Sequence, residues 1–152
     1  RSLIDSFLEV PLDAKILDES LGGHTVVVCG QVETQHFEKM SQALREKNVT
    51  LVALPDASNG KGKVDLTALF KYLAEKLHIN EVHVEAGFKL NGSLIREGCV
   101  DELLIYMAPK LLGDAVGIAN LPSLSTLDDV KAWDLIDHIS VGDNLRIRLK
   151  KK

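Results

Sequence analysis

The chain has 152 residues with a formal net charge of −4, and 45% of its residues are apolar while 26% are charged. This length suits one domain with a sizeable core, so a single domain over residues 1–152 is expected, and the globular composition excludes a disordered tail or a coiled rod. A concentrated basic face is missing, which argues against nucleic-acid partners and a membrane surface.

The cysteines and histidines do not form a metal-ligand pattern. Cys29 and Cys99 both have apolar neighbours, which favours buried thiols over a disulfide, and no His/Cys cluster has ligand spacing. No apolar run approaches the length of about 20 residues that a membrane-spanning helix needs. We therefore expect no bound metal, no membrane partner and a reduced, cytoplasmic location.

In the first half of the chain, apolar runs predict buried strands. Residues 2–5 look like a strand already in progress, and residues 25–29 and 50–54 are continuous runs rich in β-branched side chains. Such runs are typical of strands covered on both faces. Residues 56–63, which are rich in turn-forming residues, predict a surface loop.

Two amphipathic patterns predict helices between and after these strands. Thr34 is the expected N-cap of the first helix, and Asp65 is the expected N-cap of the second. The apolar positions at helical spacing are Phe37, Met40, Ala43 and Leu44 in the first helix, and Leu66, Leu69, Phe70, Leu73 and Leu77 in the second.

The second half repeats the pattern once and then changes. Residues 81–85 predict a strand, Gly87 leads into a helix, and Gly98 ends this helix in the left-handed conformation. Residues 103–107 predict a further strand, followed by a long irregular stretch. Residues 136–149 alternate apolar and polar side chains around a turn, which predicts an antiparallel hairpin with one solvated face.

This order of elements predicts an α/β fold with three α/β/α layers. Strands that alternate with helices favour a mostly parallel sheet, and the C-terminal antiparallel hairpin is expected to close its edge. Ligands of parallel sheets bind beyond the carboxyl ends of the strands, which directs attention to the loops at residues 30–34, 55–63 and 86–93.

Residues 84–93 hold the densest group of candidate site residues. A helix N-terminus there presents unpaired N–H groups, and Gly87 and Gly92 would let a phosphate approach the backbone, although tight strand–helix packing explains the glycines as well. The spacing resembles a P-loop but lacks its lysine, which disfavours nucleotide hydrolysis. Glu85 could accept a hydrogen bond from a substrate hydroxyl or amine, or it could cap the following helix.

The remaining polar residues do not indicate a catalytic nucleophile or base. His83 alternates with Val82 and Val84, which predicts a packed or half-buried side chain on a sheet face rather than a base. No Ser/His/Asp or Cys/His set can be ordered from the sequence, so the catalytic residues are left unassigned.

Several linked motifs resemble a known family. Residues 84–94, 100–104, 108–113 and 141–145 occur in the order and with the composition of the reductase domain of RibD-type bifunctional riboflavin biosynthesis proteins. This domain has a dihydrofolate-reductase-like fold, and the resemblance is strongest between residues 81 and 113.

The resemblance implies an activity and assigns roles to residues. It implies NADPH-dependent reduction of the ribosyl group of 5-amino-6-(5-phosphoribosylamino)uracil, a phosphorylated pyrimidine, to the ribityl group. The cofactor supplies the hydride, so few catalytic side chains are needed. By position, Glu85 matches the glutamate that contacts the substrate. The residues that match the NADP-binding segment are Gly87, Phe88, Lys89, Leu90, Asn91, Gly92 and Ser93.

The family pattern also contains parts that this sequence does not show. The upstream lysine, the arginines that hold the substrate phosphate and the zinc deaminase half are missing, so we expect an N-terminally truncated fragment that is inactive alone. A same-fold reductase of another substrate, such as a pterin, is one alternative, and a non-catalytic dimerising fragment is another. We expect a homodimer, because a long apolar strand and a hairpin offer edges that need cover.

Overall fold

The computed structural model describes residues 1–58, 62–123, 125–126, 130 and 132–152. The chain divides into two compact units, Arg1–Val82 and His83–Lys152, and each is described by itself. The predicted loop at residues 56–63 lies partly outside the described residues, because it includes Asn59 and Gly60.

The first unit is built on a parallel sheet. Its strands are β1 (Ser2–Ile4), β2 (Thr25–Cys29) and β3 (Val49–Ala53), in the order β1-β2-β3. The central strand β2 is buried along its whole length, as its unbroken β-branched pattern predicts. The strands predicted at residues 2–5, 25–29 and 50–54 are therefore confirmed, with boundary shifts of one residue.

Helices α1 (Thr34–Arg45) and α2 (Leu66–Leu77) follow the predicted periodicity. The prediction for α2 is confirmed at its start, where the Asp65 carboxylate accepts a hydrogen bond of 2.8 Å from the Ala68 N–H. The prediction that Thr34 caps α1 is wrong. Thr34 is already helical, and the cap is Glu33, whose carbonyl accepts from the Phe37 N–H while its side chain makes no cap bond.

A cluster of buried side chains joins β2, β3, α1 and the loop after β1. Leu8 in this loop is completely buried although its φ of 60° is unusual for a leucine. Burial raises the pKa of the Cys29 thiol above its ordinary value, and the Asp5 carboxylate adds to this effect. The buried members of the cluster are Leu8, Leu17, Val27, Cys29, Met40, Leu44 and Val49.

The second unit combines a helix with an antiparallel sheet. Helix α3 (Phe88–Arg96) is followed by β4 (Glu102–Met107), β5 (Trp133–Val141) and β6 (Asn144–Lys151), in the sheet order β4-β6-β5. The predicted C-terminal hairpin is confirmed, and Gly142 in its turn has a φ of 57°. Gly98 after α3 has a φ of 74°, which confirms its predicted left-handed conformation.

Two details of the predicted sheet are wrong. Residues 81–85 form no strand and are exposed, because no described strand pairs with them. Strand β4, at the predicted position, pairs antiparallel with β6 rather than joining a parallel sheet. The hairpin therefore contributes the central strand of this sheet, and the α/β class is confirmed with separate parallel and antiparallel sheets.

Candidate functional site

The start of α3 is the centre of the candidate site. Gly87 is the N-cap residue, it offers no side chain to the helix, and the Asn91 N–H makes the first helical bond to the Gly87 carbonyl. The N–H groups that precede Asn91 in α3 therefore lack intrahelical acceptors. A Cβ atom at Gly87 would have no heavy atom within 4 Å, so there is open space beside the N-cap residue.

Glu85 lies just before this helix with 90% of its side chain exposed. The described bonds show no cap from its carboxylate to the α3 amides, so the interpretation of Glu85 as a helix cap is not supported. His83 lies nearby, with its Nε2 3.8 Å from Glu85 Oε1. The prediction of a packed His83 is wrong, because 68% of its side chain is exposed once the strand around it is missing.

The side chains of Asn91 and Ser93 are engaged within the second unit. Asn91 Nδ2 donates to the carbonyl oxygens of Ala86, at 3.2 Å, and Ile118, at 2.9 Å. Ser93 Oγ accepts a hydrogen bond of 2.9 Å from Arg96 Nη2. These polar groups, which the sequence offers to a ligand, thus bind other parts of the protein.

Gly92 is buried where α3 meets the backbone of Asn120. A Cβ atom at position 92 would overlap the Asn120 carbonyl oxygen and would lie 2.7 Å from the carbonyl carbon and from the amide nitrogen of Asn120. The Asn120 N–H donates to the Phe88 carbonyl at 2.9 Å. Of the two sequence explanations for this glycine, close packing is the one that the geometry supports, although the packed partner is an irregular segment.

The structure brings the predicted site residues together on one stretch of chain, because they are consecutive. Their exposure differs along α3, and Lys89 is the charged side chain that points to solvent in the first turn. Glu85, Gly87 and Lys89 are exposed, Phe88, Leu90, Asn91 and Ser93 are half-buried, and Gly92 is buried.

Sequence reasoning missed the role of Arg96 and of residues 118–120. Arg96 Nη1 donates to the Asn120 carbonyl, a partner 24 residues away. No local pattern pairs these positions, since Asn120 lies in the irregular stretch between β4 and β5. Only the folded unit reveals the contact.

The glycine of the loop at residues 30–34 also has a packing role. A Cβ atom at Gly30 would lie 2.7 Å from the Lys63 carbonyl oxygen, and the Gly30 N–H donates to the Ser6 carbonyl at 3.1 Å. Asp5 Oδ2 accepts from the Val10 N–H at 2.7 Å and thereby fixes the loop after β1. Packing and hydrogen bonds within the first unit therefore account for Gly30 and Asp5 at the carboxyl ends of β2 and β1, and no ligand is needed to explain them.

Within the described part of the chain, His, Cys, Asp and Glu side chains form no group of three or more that could hold a metal ion. None of the described helices has both the length and the apolar character needed to cross a membrane.

The fold and the site define an α/β protein in which an exposed carboxylate precedes a helix. The N-cap residue of this helix is a glycine, so no N-cap side chain binds the N–H groups of its first turn. Residues 1–142 match the family model described as the RibD C-terminal domain. The chain belongs to the RibD C-terminal domain family.

Relatives and solved structures agree with this assignment. The chain is 47% identical over 78 residues to riboflavin biosynthesis protein RibD of Haemophilus influenzae, a match that covers 51% of this chain and 21% of the relative. It is 39% identical over 115 residues to the 5-amino-6-(5-phosphoribosylamino)uracil reductase of Buchnera aphidicola, covering 75% of this chain and 54% of that protein. The structure of Acinetobacter baumannii RibD, form 2, has a TM-score of 0.78 at 25% identity and covers 100% of this chain and 37% of that one.

The matched length limits what these relatives imply. The chain spans 21% and 24% of the length of the RibD proteins of Haemophilus influenzae and Escherichia coli. The family model and the structural match therefore establish the family and the fold of this chain.

Proposed function

We propose that this chain forms part of an NADPH-dependent reductase of riboflavin biosynthesis that converts the ribosyl group of 5-amino-6-(5-phosphoribosylamino)uracil to the ribityl group. Family membership supports this proposal, and the Buchnera aphidicola relative carries the name of that reductase. The observation that carries it is the exposed Glu85 beside the uncapped, open N-terminus of α3.

The start of α3 suits the phosphate groups of a dinucleotide. Unpaired N–H groups and the positive end of the helix dipole favour an anion, and Lys89 adds a positive side chain in the first turn. The open space at Gly87 leaves room for a ligand to reach these N–H groups. When bound, NADPH supplies the hydride, and the protein contributes binding and orientation.

Glu85 is proposed to bind the sugar of the substrate. Its exposed carboxylate has acceptor lone pairs available for a ribosyl hydroxyl or the ring amine. Holding the sugar close to the cofactor would favour hydride transfer by lowering the entropic cost of orientation.

We further propose a homodimer in the cytoplasm. The sheet of the second unit exposes apolar side chains on its outer strands, including Leu104, Tyr106, Leu135 and Ile139. Exposed apolar strands of this kind favour cover by a partner, and light scattering would measure the molar mass. The phosphorylated substrate and cofactor are consistent with a cytoplasmic enzyme.

The test is substrate binding and turnover in the protein at its full natural length. Glu85→Gln keeps the size of the side chain but removes its charge, so we expect the KM for the pyrimidine to rise about tenfold or more, as for loss of a charge-assisted hydrogen bond. NADPH affinity, followed by cofactor fluorescence with NADH for comparison, is expected to stay unchanged.

Glu81→Gln is the matched control, because Glu81 is also exposed and lies four residues upstream. Unchanged kinetics of Glu85→Gln would overturn the assignment of Glu85. A wild-type protein that binds no NADPH and does not reduce the pyrimidine would overturn the proposed function itself.

A further inference from the structure

One face of α3 holds a segment that is distant in sequence. Phe88, Gly92 and Arg96 are spaced by four residues and therefore lie on the same face of the helix. All of them contact Asn120: the Phe88 carbonyl accepts from its N–H, Gly92 packs against its backbone, and Arg96 donates to its carbonyl. We call residues 118–120 the docked segment.

Arg96 and Gly92 fix the docked segment by different means. The Arg96 guanidinium donates to the Asn120 carbonyl and, through Nη2, to Ser93 Oγ at 2.9 Å, so its orientation is set from two sides. The lack of a side chain at Gly92 allows the backbone of Asn120 to lie against the helix, since even a Cβ atom would overlap it. The glycine and the arginine are thus parts of one contact.

Asn91 connects the docked segment to the approach to the helix. Its amide group has two N–H donors, and these serve the Ile118 carbonyl on one side and the Ala86 carbonyl on the other. Ala86 lies between Glu85 and Gly87. The Asn91 side chain therefore links the residue next to the candidate substrate contact with the docked segment, and its donors are already in use.

We propose that Asn91, Gly92 and Arg96 are positioning residues: they hold residues 118–120 and Ala86 in place beside α3, while the amides of the first turn and Lys89 contact the cofactor. This inference rests on the proposed NADPH site and changes the roles that the family resemblance implies for Asn91 and Gly92. It predicts that these residues affect the cofactor through the shape of the site rather than by touching it.

The test measures backbone protection and cofactor affinity in the same variants. In the protein at its full natural length, Arg96→Gln and Asn91→Ala are expected to speed hydrogen exchange at residues 118–121. Arg96→Gln removes the donor to the Asn120 carbonyl and Asn91→Ala removes the donor to the Ile118 carbonyl, so the segment should leave α3 more often and break the bond from the Asn120 N–H to the Phe88 carbonyl. We also expect a KM for NADPH raised about tenfold, which corresponds to about 1.4 kcal/mol, with kcat little changed.

Arg45→Gln is the matched control for Arg96→Gln, since both arginines are exposed and each lies in the last turn of its helix. This control should change neither exchange at residues 118–121 nor the KM for NADPH. Arg96→Lys should restore part of both readouts, because an ammonium group can still donate to the Asn120 carbonyl.

The outcomes separate the two roles of Asn91. Faster exchange at residues 118–121 together with a raised KM supports positioning. A raised KM without a change in exchange would show that Asn91 contacts the cofactor directly and would overturn the inference, as would faster exchange with an unchanged KM.

Failure of the proposed function is seen in a different measurement. If the wild-type protein neither binds NADPH nor reduces the pyrimidine, the proposed function is overturned and with it the cofactor-related role of these residues. Unchanged exchange in Arg96→Gln and Asn91→Ala, with normal NADPH binding by the wild type, would overturn only the inference.

Discussion

Helix starts show how much a single side chain decides in this protein. Asp65 caps α2 through its carboxylate, whereas the caps of α1 and α3, Glu33 and Gly87, make no side-chain bond to their helices. An uncapped first turn costs the helix one stabilising interaction but leaves N–H groups available. In α3 this absence is what makes the helix start a candidate anion site.

Removing the cap of α2 should destabilise the first unit. We expect Asp65→Ala to lower the free energy of unfolding by about 1 kcal/mol, because the Ala68 N–H loses its acceptor. Urea denaturation followed by far-UV circular dichroism measures the change. Asp65→Asn, which retains a capping oxygen, should remain close to the wild type, and equal losses in both variants would argue against the cap as the cause.

At the scale of elements, strand pairing brings together charges that are far apart in sequence. Strand β6 pairs with both β4 and β5, which places Arg148 directly opposite Asp137 in β5 and diagonally across from Glu102 in β4. Arg148 binds both carboxylate oxygens of Glu102, at 2.9 and 3.0 Å. These hydrogen bonds and the charge of Arg148 hold the pKa of Glu102 below its ordinary value.

This shift makes the antiparallel sheet less stable in acid. Because the pKa of Glu102 is lower in the folded state, the ion pair stabilises the fold above the pKa of the unfolded chain. The contribution disappears as the pH falls through the folded-state value. We expect Glu102→Gln to be less stable than the wild type at neutral pH, with the difference shrinking as the pH falls below the ordinary range of a glutamate and through the lowered folded-state pKa.

Fluorescence of Trp133, the single tryptophan of the sequence and the first residue of β5, reports unfolding in this sheet. Glu38→Gln on α1 controls for the loss of one exposed carboxylate. A difference between Glu102→Gln and the wild type that stays constant throughout the acid titration would contradict the assigned ion pair.

At the scale of the whole chain, apolar side chains are distributed unevenly between core and surface. Leu44 is completely buried in the core of the first unit, whereas Leu111 in the second unit is fully exposed. The contribution of a leucine to stability depends on the apolar area that it removes from water. Replacing leucine by alanine should therefore change the free energy of unfolding much more at position 44 than at position 111.

Leu44→Ala should lower the free energy of unfolding by about 2–5 kcal/mol, because it leaves a cavity in a close-packed core. Leu111→Ala should change it by less than about 0.5 kcal/mol, the usual range for surface substitutions. Thermal and urea unfolding of both variants provide the comparison. A loss of similar size at Leu111 would show that this side chain is covered in solution, as a dimer would allow.

The sequence by itself determined the elements whose signals are local. The β-branched run of β2, the apolar spacing and Asp65 cap of α2, and the turn at Gly142 each depend on neighbouring residues, so their pattern carries the information. The same is true of the order of motifs that identifies the family. Glu85 and Gly87 could be selected as candidates because they directly precede a predictable helix.

Only the tertiary structure decided the features that depend on distant partners. Residues 81–85 have the composition of a strand, but a strand needs a paired neighbour and these residues have none among the described strands. Strand β4 finds an antiparallel partner in β6, and the paired residues are 38 to 48 positions apart in the sequence. For the same reason the sequence gives no sign that Asn91, Gly92 and Arg96 bind residues 118–120. Hydrogen bonds and close packing between distant segments exist only after the chain has folded, so they determine which side chains remain available to a ligand.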